Sequence, residues 1–220
     1  MNTPRLIALL GAESTGKTDL AHALAERIGR HRPCRSVDEY LREWCDEHGR
    51  TPRADEQAAI AAEQRRRIHA ALDADGEALV IADTTPLMTA VYSDYIFDDP
   101  SLYEEALRWQ REHAGLTLLT ALDLPWLPDG LMRDGPQVRE PVDRLLRTAL
   151  SRAGIGYGVV YGEGAARVDA ALRAVERWQP VLPAASQPPA EAPARQARIR
   201  WRRRCLDCLD PGCERLLHTG

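Results

Sequence analysis

Residues 11–18, GAESTGKT, place two glycines, one lysine and one threonine in the spacing Gly-x4-Gly-Lys-Thr. Glycines allow a backbone to curl until several of its N–H groups point at one anion. The lysine brings a compact charge to the terminal phosphates, and the threonine hydroxyl is a ligand for Mg²⁺. The spacing therefore predicts a loop that binds ATP and Mg²⁺ through Gly11, Ala12, Glu13, Ser14, Thr15, Gly16, Lys17 and Thr18.

Lys17 is the single lysine among 29 basic residues, and every other basic position is arginine. The planar guanidinium of arginine is too bulky for the inside of a tight loop, where a point charge on a flexible stem fits. The exception at residue 17 therefore favours the phosphate-binding interpretation.

Three carboxylates follow predicted strands. Asp83 comes directly after the apolar run at 78–82, where it is either a Mg²⁺ ligand or the turn residue before the helix at Pro86. Asp38 and Glu39 end another strand, at the edge of a parallel sheet that lines the ligand crevice. Either residue could accept a proton from a hydroxyl that attacks the γ-phosphate, or could stabilise a helix N-terminus.

The segment 125–140 is rich in proline and glycine and carries Arg133 and Arg139. A loop of this kind could cover the phosphates, exclude water and stabilise charge on the transferring group, or its arginines could simply be solvated. Trp126 and Tyr40 could stack on a flat ring, although Trp126 could equally pack beneath the loop. Gln64 is a further candidate for a polar contact with a substrate.

The candidate site residues must be brought together by strands and helices. Short apolar runs predict strands at 5–10, 34–37, 78–82, 116–122 and 157–161. Helical patterns fall at 17–29, 39–48, 53–74, 86–96, 101–113, 140–153 and 163–178. The alternation predicts an α/β P-loop NTPase fold over residues 1–178, a five-stranded parallel sheet with helices on both faces.

Charge and hydropathy exclude several classes of protein. The net charge is −4, but residues 1–183 carry −7 and the remainder +3, so the main domain is not a general nucleic-acid binder. No apolar run approaches the roughly 20 residues that a membrane span needs. The first residues lack the pattern of a secretory signal, so we expect a cytoplasmic protein without a membrane partner.

The end of the chain has a different composition. Residues 179–198 are rich in proline and alanine and predict an extended linker. Residues 199–220 are too few for a hydrophobic core but contain the ligand types of a structural zinc site, Cys205, Cys208, Cys213 and His218. The alternative is a disordered basic tail.

Several arginines surround Trp201 just before these cysteines. Such a segment could bind nucleic acid through phosphate contacts and stacking. We favour docking on the acidic main domain, because arginine runs are more often solvated or paired with acidic surface.

Four segments, LLGAESTGKTDLAHALAERIG, VDEYLREW, IADTTPLMTAVYSDY and LDLPWLPDGLMRD, resemble the NadR-type P-loop kinase domains. These are the nicotinamide riboside kinase modules of bacterial NAD-biosynthesis proteins, which are grouped with AAA-like ATP-binding domains. The resemblance covers about residues 5–175. The sequence departs from it at Thr85, where the family pattern has a second aspartate, and at Met132, where arginine often comes sooner.

The resemblance implies transfer of the γ-phosphate of ATP to a ribosyl pyridinium. It places Glu39 at the substrate site, Asp83 at a strand end, and Trp126, Asp129 and Arg133 in the lid, with Asp129 serving either the riboside or the turn of the lid. We therefore expect a Mg-ATP-dependent nucleoside kinase in which Lys17 and the lid arginines stabilise the phosphoryl group. The alternatives are a regulatory ATPase without an acceptor and a nucleic-acid-binding protein that acts through its tail.

Overall fold

The structure is a computed structural model that describes residues 4–128, 135–183, 186–187 and 199–202. Its strands are β1 (Leu6–Leu10), β2 (Cys34–Val37), β3 (Leu79–Asp83), β4 (Ala114–Thr120), β5 (Tyr157–Val160) and β6 (Ile199–Arg202). Its α-helices are α1 (Lys17–Gly29), α2 (Tyr40–His48), α3 (Gln57–Ala74), α4 (Pro86–Phe97), α5 (Tyr103–His113), α6 (Arg139–Arg152) and α7 (Gly164–Trp178). Short 3₁₀ turns precede α3 and α6, at Ala54–Glu56 and Pro136–Val138.

The strands form one sheet in the order β2-β3-β1-β4-β5-β6. The first five are parallel, with Leu9 opposite Asp83 on one side of β1 and Leu118 on the other. Because β1 is central and parallel to both neighbours, its carboxyl end meets the carboxyl ends of β3 and β4. This edge is where the topology of an open α/β sheet creates a ligand crevice.

Alternating side chains of β1 explain why both faces of the sheet are covered. Ile7 and Leu9 pack with residues of α1 and α7, whereas Leu6 and Leu10 face the side of α3 to α6. All four side chains are fully buried. A strand that is apolar at every position therefore has both faces in a core, as a parallel strand between two helix layers requires.

The prediction of five parallel strands between helices is confirmed, but it was incomplete. A sixth strand, β6, pairs antiparallel with β5 and lies inside the region predicted to be a separate tail. The region predicted as linker is also partly packed, because Val181 and Leu182 are buried and their N–H groups donate to Glu176 Oε1 at 2.9 and 2.8 Å. The main domain thus extends beyond residue 178.

Within the described part of the chain, the helices are either too short or too polar to cross a membrane.

Candidate functional site

A cavity of about 900 Å³ opens at the carboxyl edge of the sheet. One side, the phosphate-loop wall, consists of residues 11–19 without Ala12, together with Leu124, Pro125, Leu127, Pro128 and Glu163. The other side, the α2–α4 wall, consists of Glu39, Leu41, Arg42, Cys45, Thr51, Pro52, Arg53, Gln57, Met88, Tyr92, Ile96 and Phe97. A cavity of this size accommodates a nucleotide or a comparable small molecule.

The phosphate loop needs glycine at both predicted positions. Gly11 has φ +151°, and a Cβ atom added there would lie 2.1 Å from Thr120 Oγ1. Gly16 has φ +70° and directly precedes α1. An L side chain is strained at both conformations, so the two glycines give the loop its curl and bring the N-terminus of α1 to the cavity.

Buried hydrogen bonds fix the loop from behind. The Thr15 hydroxyl donates to the Ala12 carbonyl at 2.7 Å and receives a hydrogen bond from Thr120 Oγ1, also at 2.7 Å. Arg167, only 4% exposed, donates to the carbonyl of Thr15 at 2.7 Å and to Asp123 Oδ1 at 3.0 Å. These hydrogen bonds therefore fix the loop to the carboxyl end of β4 and to α7 independently of any ligand.

The groups predicted to hold Mg²⁺ lie side by side. Thr18 Oγ1 donates to Asp83 Oδ2 at 2.5 Å, across the end of β3. Asp83 is 1% exposed, and its other oxygen, Oδ1, is buried without a hydrogen-bond partner among the described residues. A hydroxyl beside a carboxylate with an unsatisfied oxygen fits a hard divalent cation.

Lys17 Nζ donates to the Ala12 carbonyl at 3.0 Å, so the ammonium group lies across the mouth of its own loop. Charge attraction would allow it to exchange this carbonyl for a phosphate oxygen. The position agrees with the role predicted for the single lysine.

The residues after Asp83 explain why position 85 is a threonine, where the NadR-type pattern has a second aspartate. Thr84 adopts φ +75°, which is rare for a β-branched residue and marks local strain beside the site. Thr85 is fully buried and turns away from the cavity, where its hydroxyl donates to Gln110 Oε1 at 2.8 Å. Gln110 donates in turn to Thr117 Oγ1 at 3.0 Å. Position 85 is therefore part of a buried polar network in the core.

The structure separates the two candidate bases. Asp38 lies on the surface, with 68% of its side chain exposed and Oδ1 2.8 Å from His22 Nε2. Glu39 lines the cavity at the N-terminus of α2. Of this pair, Glu39 is the carboxylate that a ligand in the cavity can reach.

Glu13 connects three parts of the site. Its Oε1 accepts hydrogen bonds from Trp126 Nε1 at 2.9 Å and from the Gly135 N–H at 3.2 Å. Its own N–H donates to the Tyr92 hydroxyl at 3.1 Å, on the α2–α4 wall. The Leu127 N–H donates to the hydroxyl of neighbouring Ser14 at 2.8 Å. The loop thereby binds residues on both sides of segment 129–134 in the chain, and Trp126 serves as a hydrogen-bond donor to the phosphate loop.

The predicted lid arginines have different outcomes. Arg139 begins α6, is buried, and donates to the Leu124 carbonyl at 2.9 Å, so it holds the base of this region. It is not among the described residues that line the cavity. Asp129 and Arg133 lie outside the described residues, so their predicted roles stay predictions.

Two predicted substrate contacts have structural partners instead. Gln64 is buried; its Oε1 accepts from the Tyr40 N–H at 2.7 Å and its Nε2 donates to the Asp38 carbonyl at 3.2 Å. The Tyr40 ring packs against the Arg67 guanidinium at 4.4 Å. Neither side chain is among the described lining residues, and together they fix the start of α2 that carries Glu39.

Cys45 is the one cysteine among the described lining residues. Burial raises the pKa of its thiol to about 11, with Asp46 and Glu39 adding to the shift. The thiol is therefore protonated at neutral pH and contributes a small apolar surface to the cavity.

The zinc ligands predicted in the tail, Cys205, Cys208, Cys213 and His218, lie outside the described residues. Within the part that the structure describes, His, Cys, Asp and Glu side chains form no group of three or more that could hold a metal ion. Zinc therefore stays a prediction from the spacing in the sequence.

Sequence reasoning missed Arg167 and Tyr92. Each occupies an ordinary position of a helical pattern, and its partner is far away in the chain, 152 residues for Arg167 and Thr15 and 79 for Tyr92 and Glu13. The only signal is an arginine on the buried face of α7, where a charged residue needs a partner.

Comparisons with known proteins agree with this geometry. No curated protein matches the chain. The structure is similar to crystal structures of NadR protein in complex with NAD and AMP-PNP (TM-score 0.62) and in complex with NR (TM-score 0.63), each 20% identical. Each match covers 82% of this chain and 51% of the other, so this chain spans about half the length of those proteins.

This likeness confirms the predicted NadR-like P-loop fold. The family described as AAA domain matches residues 6–167, almost the whole of the parallel sheet and its helices. The chain belongs to this family of AAA domains.

Proposed function

We propose that this protein is a Mg-ATP-dependent kinase that phosphorylates a hydroxyl of a small molecule. The single observation that carries the proposal is the pairing of Thr18 Oγ1 with Asp83 Oδ2 at 2.5 Å, with Asp83 Oδ1 left unsatisfied among the described residues. Thr18 lines the cavity together with the phosphate loop, and Asp83 lies buried directly behind it.

Each residue has a distinct part in the transfer. Thr18 and Asp83 would hold Mg²⁺, which, when bound, neutralises charge on the β- and γ-phosphates. The loop N–H groups and Lys17 orient the triphosphate, and the α2–α4 wall orients the acceptor. As the acceptor oxygen forms its bond to the γ-phosphorus, the bond from that phosphorus to the β-phosphate oxygen breaks and ADP leaves. Glu39 accepts the proton of the acceptor hydroxyl.

We further propose nicotinamide riboside as the first acceptor to test. Support comes from the sequence segments shared with NadR-type kinases and from the fold shared with a NadR protein solved in complex with NR. The position of Glu39 on the cavity wall agrees with a hydroxyl acceptor bound between α2 and the phosphate loop.

Mass spectrometry tests both levels of the proposal. We expect a product one phosphate heavier when the protein is incubated with Mg-ATP and nicotinamide riboside. Glu39→Gln should bind ATP normally but transfer phosphate about 10²- to 10⁴-fold more slowly, the range for loss of a general base. Asp38→Asn is the matched control, because it changes the neighbouring carboxylate on the exposed side and should keep its activity.

Three results would each count against a different part of the proposal. If Glu39→Gln transferred phosphate at the full rate, Glu39 would not be the general base. ATP hydrolysis at a rate unchanged by any riboside would favour a regulatory ATPase. Loss of activity in both carboxylate variants would point to a role of this segment in folding.

For the tail we propose structural zinc bound by Cys205, Cys208, Cys213 and His218. Elemental analysis should then find one zinc per chain, and Cys205→Ser with Cys208→Ser should lower it without affecting ATP binding. Wild-type protein that is purified without a chelator and contains no zinc would refute this site.

A further inference from the structure

The α2–α4 wall of the cavity has a chemical character that the proposed kinase reaction does not explain. It combines an apolar strip, a buried amide and two arginines. Phosphate transfer needs only a hydroxyl and nearby phosphates. These additional features therefore indicate the chemistry of the rest of the acceptor.

The apolar strip comes from one helix. Met88, Tyr92 and Ile96 follow each other at intervals of four along α4, and Phe97 lies beside them. Residues at this spacing share one side of a helix. Ile96 is 48% exposed, which leaves its apolar surface available to a ligand. A strip of this kind fits the face of a flat ring.

Gln57 supplies the buried polar group of this wall. It lies at the start of α3, lines the cavity and is only 4% exposed. Among the described residues its Nε2 has one hydrogen-bond partner, the Arg53 carbonyl at 3.5 Å, which is at the outer limit of a hydrogen bond. A buried amide with such a weak partner is poorly satisfied, and a planar polar substituent of the ligand would satisfy it.

The charge on this wall is positive. Arg42 and Arg53 both line it, whereas Glu39 is the one carboxylate among its described residues. Glu56, which lies close to Arg53 in the chain, is already bound by both terminal nitrogens of Arg50 at 2.7 Å. The Arg50 contacts, and next the Arg53 N–H that donates to Glu56 Oε2 at 2.8 Å, hold the pKa of Glu56 down at about 2. Arg53 contacts Glu56 through its backbone, and among the described residues its guanidinium forms no ion pair, so this side chain is available to an anionic ligand.

We propose that the acceptor is an aromatic riboside whose ring carries a carboxylate, recognised by Arg53 and Gln57. This rests on the proposed kinase function and narrows its substrate class. Within the pyridinium ribosides, it means that nicotinic acid riboside, with a ring carboxylate, is a better acceptor than nicotinamide riboside, with a neutral carboxamide. The apolar strip of α4 holds the ring, and Glu39 accepts the proton of the ribose hydroxyl.

Steady-state kinetics with both ribosides tests the proposal. We expect kcat/KM to be about tenfold higher for the carboxylate, the difference between a charge-assisted and a neutral hydrogen bond. Arg53→Gln should abolish this preference by raising KM for the carboxylate riboside alone, and Arg53→Lys should restore part of it. Gln57→Leu should raise KM for both ribosides.

Arg66→Gln is the control for charge, because Arg66 is exposed on α3 and pairs with Glu63 away from the cavity. It should leave the preference unchanged. Calorimetry of both ribosides with a non-hydrolysable ATP analogue gives the same comparison for binding alone.

The outcomes separate the two proposals. A carboxylate preference that disappears in Arg53→Gln and persists in Arg66→Gln supports the inference. Equal use of both ribosides, or a preference for the amide, overturns it but leaves the kinase function intact. If neither riboside binds or is phosphorylated while ATP still binds, the proposed pyridinium riboside kinase itself is wrong.

Discussion

The two walls of the cavity are built in different ways. On the phosphate-loop wall, Thr15, Thr18 and Glu13 each have a defined partner brought in from another element of the fold. On the α2–α4 wall, Ile96 is half-exposed, and among the described residues the side-chain nitrogen of Gln57 has a single long contact.

The difference follows from what each wall binds. Phosphates are the same in every nucleotide, so a loop that binds them benefits from being fixed before the ligand arrives. Acceptors vary, and the groups that recognise them must exchange contacts with solvent for contacts with ligand. We therefore expect variants of the first wall to affect ATP whatever the acceptor, and variants of the second to affect the acceptor alone.

The largest expected effect is at Lys17. Lys17→Ala should lower ATP turnover by at least about 10²-fold, because it removes the one charge directed at the terminal phosphates from inside the loop. Initial rates of ADP formation, measured with and without acceptor, check this. Arg30→Ala is the control, since Arg30 is exposed and pairs with Glu26 on the surface of α1. Normal turnover by Lys17→Ala would remove the basis for assigning the loop to ATP.

Gly11→Ala should come next, because its methyl group would overlap Thr120 Oγ1. The strain should lower the free energy of unfolding by about 1–3 kcal/mol and displace the loop from the end of β4. Thermal unfolding and ATP titration measure both effects. Gly76→Ala is the matched control, because a Cβ atom there meets nothing within 4 Å. Equal melting temperatures for the two variants would show that the loop has room that the structure does not give it.

Removing the Glu13 carboxylate should have a moderate effect. Glu13→Ala takes away the acceptor for Trp126 and Gly135, and we expect KM for ATP to rise about tenfold, corresponding to the loss of hydrogen bonds to a charged group. Glu13→Gln keeps an oxygen for both donors and should recover most of the affinity. If the two variants were equally impaired, the charge of Glu13, and not its bridging contacts, would be what matters.

The smallest effect tests the other wall. Ile96→Ala should leave the melting temperature and KM for ATP unchanged, since the side chain is 48% exposed, but should raise KM for the acceptor a few-fold. Initial rates over a range of acceptor concentrations, at saturating ATP, give this KM directly. A rise in KM for ATP instead would show that the two walls are not independent.

Much of the fold follows from local patterns. Apolar runs such as ALVIA specify a strand buried on both faces, and the glycines around a lysine specify a phosphate loop. The sixth strand could not be predicted in this way, because β6 has only four residues, in which Ile199 and Trp201 alternate with two arginines, and so short a segment is not a strand signal by itself. Its pairing depends on the open edge of β5, which exists only once the sheet has formed.

The site was predicted less completely than the fold. The positions of Lys17, Thr18 and Asp83 follow from chain order, since each ends a strand or lies in the first turn of a helix next to the centre of the sheet. The choice between Asp38 and Glu39 depends on which of two adjacent side chains turns inward at the start of α2, and Gln64 helps to set that turn from 24 and 26 residues away. The spacing of residues in the sequence does not predict such contacts.

The sequence by itself determined that this chain forms an α/β phosphate-binding domain, because backbone conformation and burial depend on residues that are near neighbours in the chain. Only the tertiary structure decided that Glu39 faces the cavity while Asp38 faces solvent, that Thr85 belongs to the core, and that Arg167 fixes the phosphate loop. These outcomes depend on hydrogen bonds between residues far apart in the chain, which form only when the packed layers bring their donors and acceptors within about 3 Å of each other.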